Sequence, residues 1–302
     1  MNKSVKLRAP AKINLNLNIT GRRDDGYHLL DSVVIFADLT DNITISIADQ
    51  DMIRLTGIMA TELNNTDTTL HQARDIFRKK TGWDQAVMID MEKRIPVAAG
   101  LGGGSADAAA ILRGMARLSG ITVDEDVMME MALHIGADVP ALMLSWQTSA
   151  LRMQGIGEVL APLDFPHQPG ILLANPGVTL STAAVFHAMH MTSDTASIPT
   201  VPHISDASLT NMDLALQMKH GNDMTPAAIS LAPAINRILA AVHQCVDQYG
   251  GYGVAMSGSG ATCFALFPGI NDAEQARMAF SSIMPDDQIW CWAGGVMKPD
   301  LP

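Results

Sequence analysis

The chain is poor in cysteine, and its few cysteines do not form a recognisable set. Cys245, Cys263 and Cys291 are the three cysteines in 302 residues, and none of them has C-x-x-C spacing to another. An odd number without that spacing argues against a disulfide framework and against a structural zinc site. We therefore expect the three thiols to pack in the interior.

Long apolar runs and an excess of basic residues are also absent. No stretch approaches the length of a membrane span, and the basic N-terminus is not followed by an apolar segment, so neither a membrane helix nor a signal peptide is predicted. With 20 Lys and Arg against 31 Asp and Glu, the net charge of −11 disfavours nucleic acid and anionic membranes as partners. We expect a cytoplasmic enzyme with a small-molecule substrate, either a monomer or a weak homodimer.

The composition predicts a globular α/β protein of two domains or one large unit. Hydrophobic residues make up 48% of the 302 residues, which suffices for sizeable cores. Apolar residues alternate with period two in Ile13–Ile19, followed by strand-like Val33–Phe36 and Ile43–Ile47. Later segments show helical spacing, and Pro233–Tyr249 is predicted to be a helix with an apolar stripe, closed by Gly250-Gly251. We place the domain boundary so that residues 1–160 form the first domain and residues 161–302 the second. The Thr, Ser and Pro-rich segment 192–208 is predicted to be a surface loop.

A glycine-rich loop that leads into an alanine-rich helix is the most informative segment. Its glycines let successive backbone N–H groups point toward one centre, where the helix also presents its positive end, so phosphate is the natural ligand. A turn that merely lets the helix pack closely is the alternative. The helix is expected to begin near Ser105 and to end at a left-handed Gly120. The loop comprises Pro96, Val97, Ala98, Ala99, Gly100, Leu101, Gly102, Gly103, Gly104, Ser105 and Ala106.

Two common nucleotide loops do not fit this segment. A Walker A loop requires a lysine after its last glycine, and here Gly104 is followed by Ser105 and Ala106, so a P-loop NTPase is excluded. A dinucleotide fingerprint belongs directly after a strand, whereas a charged run and Pro96 separate Gly100 from the strand predicted over 86–91. The loop therefore does not indicate a nicotinamide or flavin site.

A lysine and an aspartate are candidates for phosphoryl-transfer chemistry. Lys12 and Asn14 share one face of a predicted strand, which would be either a solvated edge or the wall of a cleft. Asp138 follows Gly136, which ends a helix predicted to start with a capping box at Thr122-x-x-Glu125. A carboxylate that accepts the proton of an attacking hydroxyl, with a lysine nearby, would suit a kinase, although Asp138 could instead cap the next helix.

Two further sets are weak when taken alone. Ser257–Ala261 is a small-residue loop between two predicted strands, and glycine hairpins of this kind are common. Tyr27, His28 and Phe186 could enclose a planar ring and read its polar edge, but a lone Tyr-His pair is more often structural.

In chain order, Pro10–Asn14, Pro96–Ala108 and Ser257–Ala261 resemble the three motifs of the GHMP kinase superfamily. Within that superfamily the chain resembles the branch that phosphorylates 4-diphosphocytidyl-2-C-methyl-D-erythritol, and the resemblance extends from Pro10 to about Phe267. The segments that carry this closer resemblance are Thr20–His28, Ile135–Pro140, and Asn175–Val178 with Phe186.

The resemblance implies a fold and a reaction. The fold would be a two-domain α/β (α+β) GHMP kinase fold, with a ribosomal-protein-S5-like N-terminal domain and a ferredoxin-like C-terminal domain. The reaction would be transfer of the γ-phosphate of ATP to the 2-hydroxyl of the cytidyl substrate, a step of the non-mevalonate route to isoprenoid precursors. Mg²⁺ would arrive with ATP, held mainly by phosphate oxygens and water, and we assign it no protein ligand.

The resemblance also implies a role for each candidate residue. Asp138 would be the catalytic base and Lys12 its electrostatic partner, and residues Pro96–Ala106 would bind the phosphates of ATP. On the substrate side, Asn14 and Thr182 would lie near the methylerythritol end, whereas Tyr27, His28 and Phe186 would hold the cytosine.

Two departures from the family pattern lie on the nucleotide side. Asp67-Thr68-Thr69-Leu70 replaces the usual Asp-Asn-Leu, and Leu151–Gly155 replaces a smaller, more glycine-rich approach to Gly155-Ile156-Gly157-Glu158. A GHMP kinase acting on homoserine or mevalonate and a non-catalytic nucleotide-binding protein are the alternatives. The cytosine set argues against the first alternative, and the intact Lys12 and Asp138 argue against the second.

Overall fold

A computed structural model describes residues 3–60, 68–192, 209–285 and 288–299 of the chain. Position Asp67 and the predicted surface loop after Thr192 lie outside the described residues. The described elements form a mixed α/β fold, as the sequence predicts. The chain divides into two compact units, each built from separate stretches of chain. The first unit consists of Met1–Lys12, Leu39–Val97 and Gly102–Ser145. The second unit consists of Ile13–Asp38, Ala98–Leu101 and Trp146–Pro302. The predicted domain boundary after residue 160 stays a prediction.

The first unit combines strands with a layer of helices. Its strands are the first part of β1 (Ser4–Asn14), the second part of β3 (His28–Ile47), β4 (Met52–Thr56) and β5 (Val87–Glu92). Strand β5 pairs antiparallel with β3 and parallel with β4. The helices are α1 (Thr68–Thr81), α2 (Gly103–Ser119), α3 (Glu125–Ile135) and α4 (Val139–Leu144).

Helix α2 is the central helix of this unit, and its small residues explain why it is so deeply buried. A Cβ on Gly114 would lie 2.6 Å from Ile45 Cδ1 and 2.7 Å from Leu7 Cδ1, so a larger residue would force these two side chains to shift. The helix ends at Gly120, which has the predicted left-handed conformation with φ of 74°.

The second unit contains two groups of strands. The first part of β3 pairs with β2 (Asn18–Arg22) and with β6 (Ala150–Gly155), which continues through a hairpin to β7 (Val159–Leu163). The other group is an antiparallel sheet of order β11-β8-β10-β9. Its strands are β8 (Gly170–Asn175), β9 (Gly253–Met256), β10 (Cys263–Phe267) and β11 (Trp290–Gly294).

Helices of the second unit also contribute to its apolar core. They are α5 (Thr182–Thr192), α6 (Asn211–His220), α7 (Thr225–Leu231), α8 (Ala234–Tyr249) and α9 (Ile270–Ile283). Helix α8 carries the predicted apolar stripe and ends at Gly250, whose φ is 72°. Its buried residues join those of α9, β8 and β10 in one cluster that includes Ile235, Val242 and Phe280.

Two of three local predictions are wrong. The predicted capping box at Thr122 is absent, because α3 begins at Glu125 and its N-cap is Asp124, whose side chain accepts a hydrogen bond from Asp126 N–H. Helix α2 begins at Gly103, close to Ser105, where its start was predicted. The two strands predicted between Val33 and Ile47 are parts of the single strand β3, because the polar residue that interrupts the pattern, Asp41, is buried against a partner elsewhere in the chain.

The described residues include all three cysteines and the helices in which a membrane span could occur. Cys245 and Cys263 are buried, as predicted, whereas Cys291 is only half-buried, and all three are free thiols. Burial raises the pKa of the Cys245 thiol to about 11 and that of Cys263 still further. Among the described helices, none combines the length and the apolar composition needed to cross a bilayer.

Candidate functional site

Lys12 and Asp138 form an ion pair in the first unit. Lys12 lies on β1, and its Nζ donates a hydrogen bond of 2.7 Å to Asp138 Oδ1. The lysine side chain is 5% exposed, whereas the aspartate side chain is 39% exposed. Asp138 occupies the N-cap position of α4 but makes no side-chain capping bond, so the capping alternative is wrong. The carboxylate is therefore fixed by the lysine on one side and open on the other.

The start of α2 lies beside this pair. Gly102 is the N-cap of α2 with φ of 66°, and it has no side chain with which to cap the helix. A Cβ on Gly102 would lie 3.3 Å from Lys12 Cβ, so the glycine permits close approach of the loop to the lysine. The first N–H groups of a helix have no acceptor within the helix. Such N–H groups, together with the positive end of a helix, are suited to bind an anion.

In the second unit, residues Ala98–Leu101 pack against the small-residue loop Ser257–Ala261. Gly100 has φ of 77°, and a Cβ on it would lie 2.3 Å from the Ser257 carbonyl oxygen. Ser257 Oγ donates a hydrogen bond to the Gly100 carbonyl oxygen at 3.0 Å, and the Thr262 N–H donates one to the Ala99 carbonyl oxygen at 3.2 Å. The loop Ser257–Ala261 therefore supports the glycine-rich loop, a contact that the sequence alone does not predict.

Asn14 is held by two serines, Ser257 of the predicted small-residue loop and Ser32, which the sequence did not point to. Its backbone N–H donates to Ser257 Oγ at 3.2 Å, and its Nδ2 donates to Ser32 Oγ at 2.8 Å. The side-chain oxygen Oδ1 is buried and has no hydrogen-bond partner within the described part of the chain. A buried acceptor without a donor is costly, so this oxygen is suited to receive a hydroxyl or N–H group. No local sequence signal identifies Ser32, because it lies 18 residues from Asn14.

Thr182 and Ser259 form a second pair of hydroxyl groups in this unit. Thr182 is the first residue of α5, and its Oγ1 lies 2.9 Å from Ser259 Oγ. Either hydroxyl can donate, so the pair retains both a donor and an acceptor for a further group. Ser259 belongs to the same loop as Ser257, which also contacts Asn14.

The aromatic candidates are also close to one another. The rings of His28 and Phe186 stack with their centroids 4.5 Å apart and their planes 8° apart. Tyr27, the preceding residue, is 61% exposed. The structure thus brings His28 and Phe186 into direct contact, with no space for a base between these two rings.

The departure at Arg152 has a structural explanation in the second unit. Arg152 on β6 forms two hydrogen bonds with the carboxylate of Asp31 on β3, at 2.9 Å and 2.5 Å. Gln154 donates a third to the same carboxylate at 2.9 Å. Side-chain hydrogen bonding to Asp31 raises the pKa of the Arg152 guanidinium. The larger polar residues at 152 and 154 are therefore matched by a buried acidic partner.

No metal centre is apparent in residues 3–60, 68–192, 209–285 and 288–299. Within them, no group of three or more His, Cys, Asp or Glu side chains is placed to hold a metal ion.

Comparison with known proteins relates these residues to a family. Residues 68–145 match the GHMP kinases N terminal domain, and residues 208–286 match the GHMP kinases C terminal domain. A 4-diphosphocytidyl-2-C-methyl-D-erythritol kinase of Paramagnetospirillum magneticum is 38% identical over 287 residues, which cover 95% of this chain and 96% of the relative.

Solved structures give the same result. A crystal structure of 4-(cytidine 5'-diphospho)-2C-methyl-D-erythritol kinase superposes with a TM-score of 0.76 at 28% identity and covers 97% of this chain and 99% of its own. A homoserine kinase from Cytophaga hutchinsonii has a TM-score of 0.69 at 17% identity, covering 98% of this chain and 95% of its own, and shares the fold.

Proposed function

This chain belongs to the GHMP kinases, and within them to the 4-diphosphocytidyl-2-C-methyl-D-erythritol kinases, and we propose that Asp138 and Lys12 perform its phosphoryl transfer. The enzyme acts in isoprenoid biosynthesis, with ATP as the phosphate donor. The transfer is to the 2-hydroxyl of 4-diphosphocytidyl-2-C-methyl-D-erythritol, and the products are ADP and the 2-phosphorylated substrate.

The proposed chemical step assigns one role to each member of the ion pair. The Asp138 carboxylate accepts the proton of the substrate 2-hydroxyl. At the same time the oxygen of that hydroxyl bonds to the γ-phosphorus, and the bond between this phosphorus and the β,γ-bridging oxygen breaks, so that ADP leaves. Lys12 orients the carboxylate before the transfer through their hydrogen bond. The observation that carries this assignment is the 2.7 Å contact between a buried lysine and an open carboxylate.

The phosphates of ATP are assigned to the glycine-rich loop. Gly102, which begins α2, has left-handed backbone geometry and no side chain over the first N–H groups of the helix. Backbone N–H groups of this kind neutralise phosphate charge without a lysine of the Walker type. Mg²⁺ would add positive charge on the phosphate oxygens, and we propose that it is held mainly by those oxygens and by water.

The substrate is assigned to residues of the second unit. Asn14 Oδ1, buried and without a donor in the described residues, is proposed to accept a hydrogen bond from a hydroxyl of the methylerythritol. Thr182 is proposed to bind the same end of the substrate. Tyr27, His28 and Phe186 are proposed to hold the cytosine, and because His28 now covers one face of Phe186, the base would have to displace His28 to stack on that face.

A coupled assay of ADP release tests the function directly. The protein is incubated with ATP, Mg²⁺ and 4-diphosphocytidyl-2-C-methyl-D-erythritol, with homoserine and mevalonate in parallel. Turnover with the cytidyl substrate alone supports the proposal. Turnover with homoserine or mevalonate would contradict the substrate assignment. ATP binding without turnover of any of the three substrates would contradict the proposal that the protein is an active kinase.

A further inference from the structure

Three titratable side chains, one lysine and two aspartates, form a buried cluster in the first unit. Lys93, which follows β5, donates hydrogen bonds from Nζ to Asp41 on β3 and to Asp107 on α2, both at 2.5 Å. The side chain of Lys93 is 3% exposed, and both aspartates are 0% exposed. Replacing a buried ion cluster with apolar residues is often neutral or stabilising. Stability alone is therefore a weak explanation for this cluster.

Asp41 binds the chain where it enters the glycine-rich loop. Its Oδ2 accepts the hydrogen bond from Lys93, whereas its Oδ1 accepts from the backbone N–H groups of Arg94, at 2.5 Å, and Ile95, at 2.9 Å. Pro96, the first residue of the loop, comes next. A single carboxylate thus holds three consecutive residues that lead into the loop.

Asp107 is the residue that directly follows the loop, and it accepts the hydrogen bond from Lys93. It lies near the start of α2, the helix that begins at Gly103. A Cβ on Gly103 would lie 3.1 Å from Ile95 Cγ2 and 3.8 Å from Lys93 Nζ, so the entering segment packs against the helix start. The cluster therefore connects the two ends of the loop directly to each other.

Lys93 is itself fixed by the backbone around it. Its N–H donates to the Thr56 carbonyl oxygen at 2.7 Å, and its carbonyl oxygen accepts from the Met59 N–H at 3.3 Å. A Cβ on Gly57 would lie 2.4 Å from that same carbonyl oxygen. The backbone of Lys93, directly after β5, is therefore held against the end of β4.

We propose that Asp41, Lys93 and Asp107 are positioning residues for ATP. They fix the entrance and the exit of the phosphate loop, so that its backbone N–H groups stay directed at the phosphates. The three residues act through the loop and need not touch ATP. The inference rests on the proposed function of the loop, and small displacements of positioned groups are costly to binding and catalysis.

The test compares two carboxylates with similar partners in the same unit. Asp41→Asn removes the charge that holds Lys93 and the loop entrance. Asp51→Asn is the matched control, because Asp51 also accepts side-chain hydrogen bonds, from Arg78 at 2.6 Å and 2.8 Å, and one backbone hydrogen bond, from the Val87 N–H at 2.9 Å. Lys93→Met is a third variant. For each, we would measure the Kd for ATP without the second substrate, both KM values, kcat and the Tm.

We expect Asp41→Asn and Lys93→Met to raise the Kd and KM for ATP about tenfold or more while the KM for the cytidyl substrate stays unchanged. Asp51→Asn should lower the Tm and leave ATP binding intact. Wild-type affinity for ATP in Asp41→Asn, or an equal loss of affinity in Asp51→Asn, would overturn the proposal. If Lys93→Met does not fold, the Kd of Asp41→Asn for ATP decides whether the proposal stands.

A measurement on the unmodified protein covers the case in which neither variant folds. The Arg94 and Ile95 amides should exchange slowly with solvent in NMR spectra, because Asp41 accepts both. Rapid exchange at both amides would contradict the proposal. ATP binding is measured apart from turnover, so a protein that binds ATP but does not phosphorylate the cytidyl substrate would contradict the proposed function and still test the cluster.

Discussion

Lys12 and Asp138 form an ion pair whose two members differ in exposure, since the lysine side chain is 5% exposed and the aspartate 39%. A substrate can therefore reach the carboxylate but not the ammonium group. This asymmetry makes Asp138 the candidate that touches the reacting hydroxyl, and in the proposed mechanism Lys12 acts through Asp138.

Replacing the carboxylate should affect the chemical step more than binding. Asp138→Asn keeps the size of the side chain but removes its ability to accept a proton, so we expect kcat to fall about a hundredfold or more with little change in the Kd of either substrate. Asp124→Asn is the control, because it alters another aspartate near a helix start, and asparagine caps a helix equally well. Turnover of Asp138→Asn close to that of the wild type would remove Asp138 from the mechanism.

Replacing the lysine tests whether it acts through the aspartate. Lys12→Met removes the hydrogen bond to Asp138 while keeping most of the side-chain length, and Lys12→Ala removes both. We expect either change to lower kcat. The same change made in Asp138→Asn should add little, because groups that act as a unit have non-additive effects on kcat. A full additional loss of kcat in the double variant would show that Lys12 acts independently.

The stack of His28 on Phe186 gives a prediction for substrate binding. Phe186→Ala removes an aromatic face worth about 1 kcal/mol, which should raise the KM for the cytidyl substrate about fivefold and leave the KM for ATP unchanged. Trp83→Ala is a suitable control, because it removes the partner of another aromatic pair, with Phe77, in the first unit. An unchanged KM for the cytidyl substrate in Phe186→Ala would contradict the assignment of the cytosine.

Sequence patterns predicted the regular elements well, because helices and strands follow local periodicity. The stripe of α8 and the glycines at its end and at the end of α2 are examples. The same reasoning failed at Asp41, since a buried aspartate looks like a break in a strand until its partner Lys93, 52 residues away, is known.

The candidate site shows the same division between local and distant contacts. Lys12, Asp138 and the loop could be identified from residue type and order. The supports of the site, such as Ser257 against Asn14, join residues 243 positions apart and leave no local pattern. The resemblance to a known family supplied the roles, and the fold supplied the contacts.

Two glycines of the phosphate loop should respond differently to alanine. Gly100 has φ of 77°, and a Cβ on it would lie within 3 Å of backbone atoms of Ser257 and Gly260, so Gly100→Ala should destabilise the protein and weaken ATP binding. A Cβ on Gly104, which is helical, meets nothing within 4 Å. Gly104→Ala should therefore keep or raise the Tm by helix propensity. Equal loss of Tm in both variants would contradict the role of Gly100 in the close approach.

The buried cluster also predicts how stability depends on pH. Burial raises the pKa of Asp107 from 3.8 to about 8, despite the nearby Lys93 ammonium, which lowers it, and with a further upward contribution from Asp41. Between about pH 4 and pH 8 the folded protein holds a proton that the unfolded chain has released, so the free energy of unfolding falls as pH rises through this range, by at most about 1.4 kcal/mol per pH unit.

Asparagine should remove this contribution, because its amide resembles the protonated acid and does not titrate. We expect the stability of Asp107→Asn relative to the wild type to increase from pH 5 to pH 8, as measured by urea unfolding at each pH. Lys93 and Asp41, the charged groups that face Asp107 from the end of β5 and from β3, are unchanged in this variant. A difference in unfolding free energy that stays constant with pH would show that Asp107 is ionised throughout, and that Lys93 neutralises it fully within the folded protein.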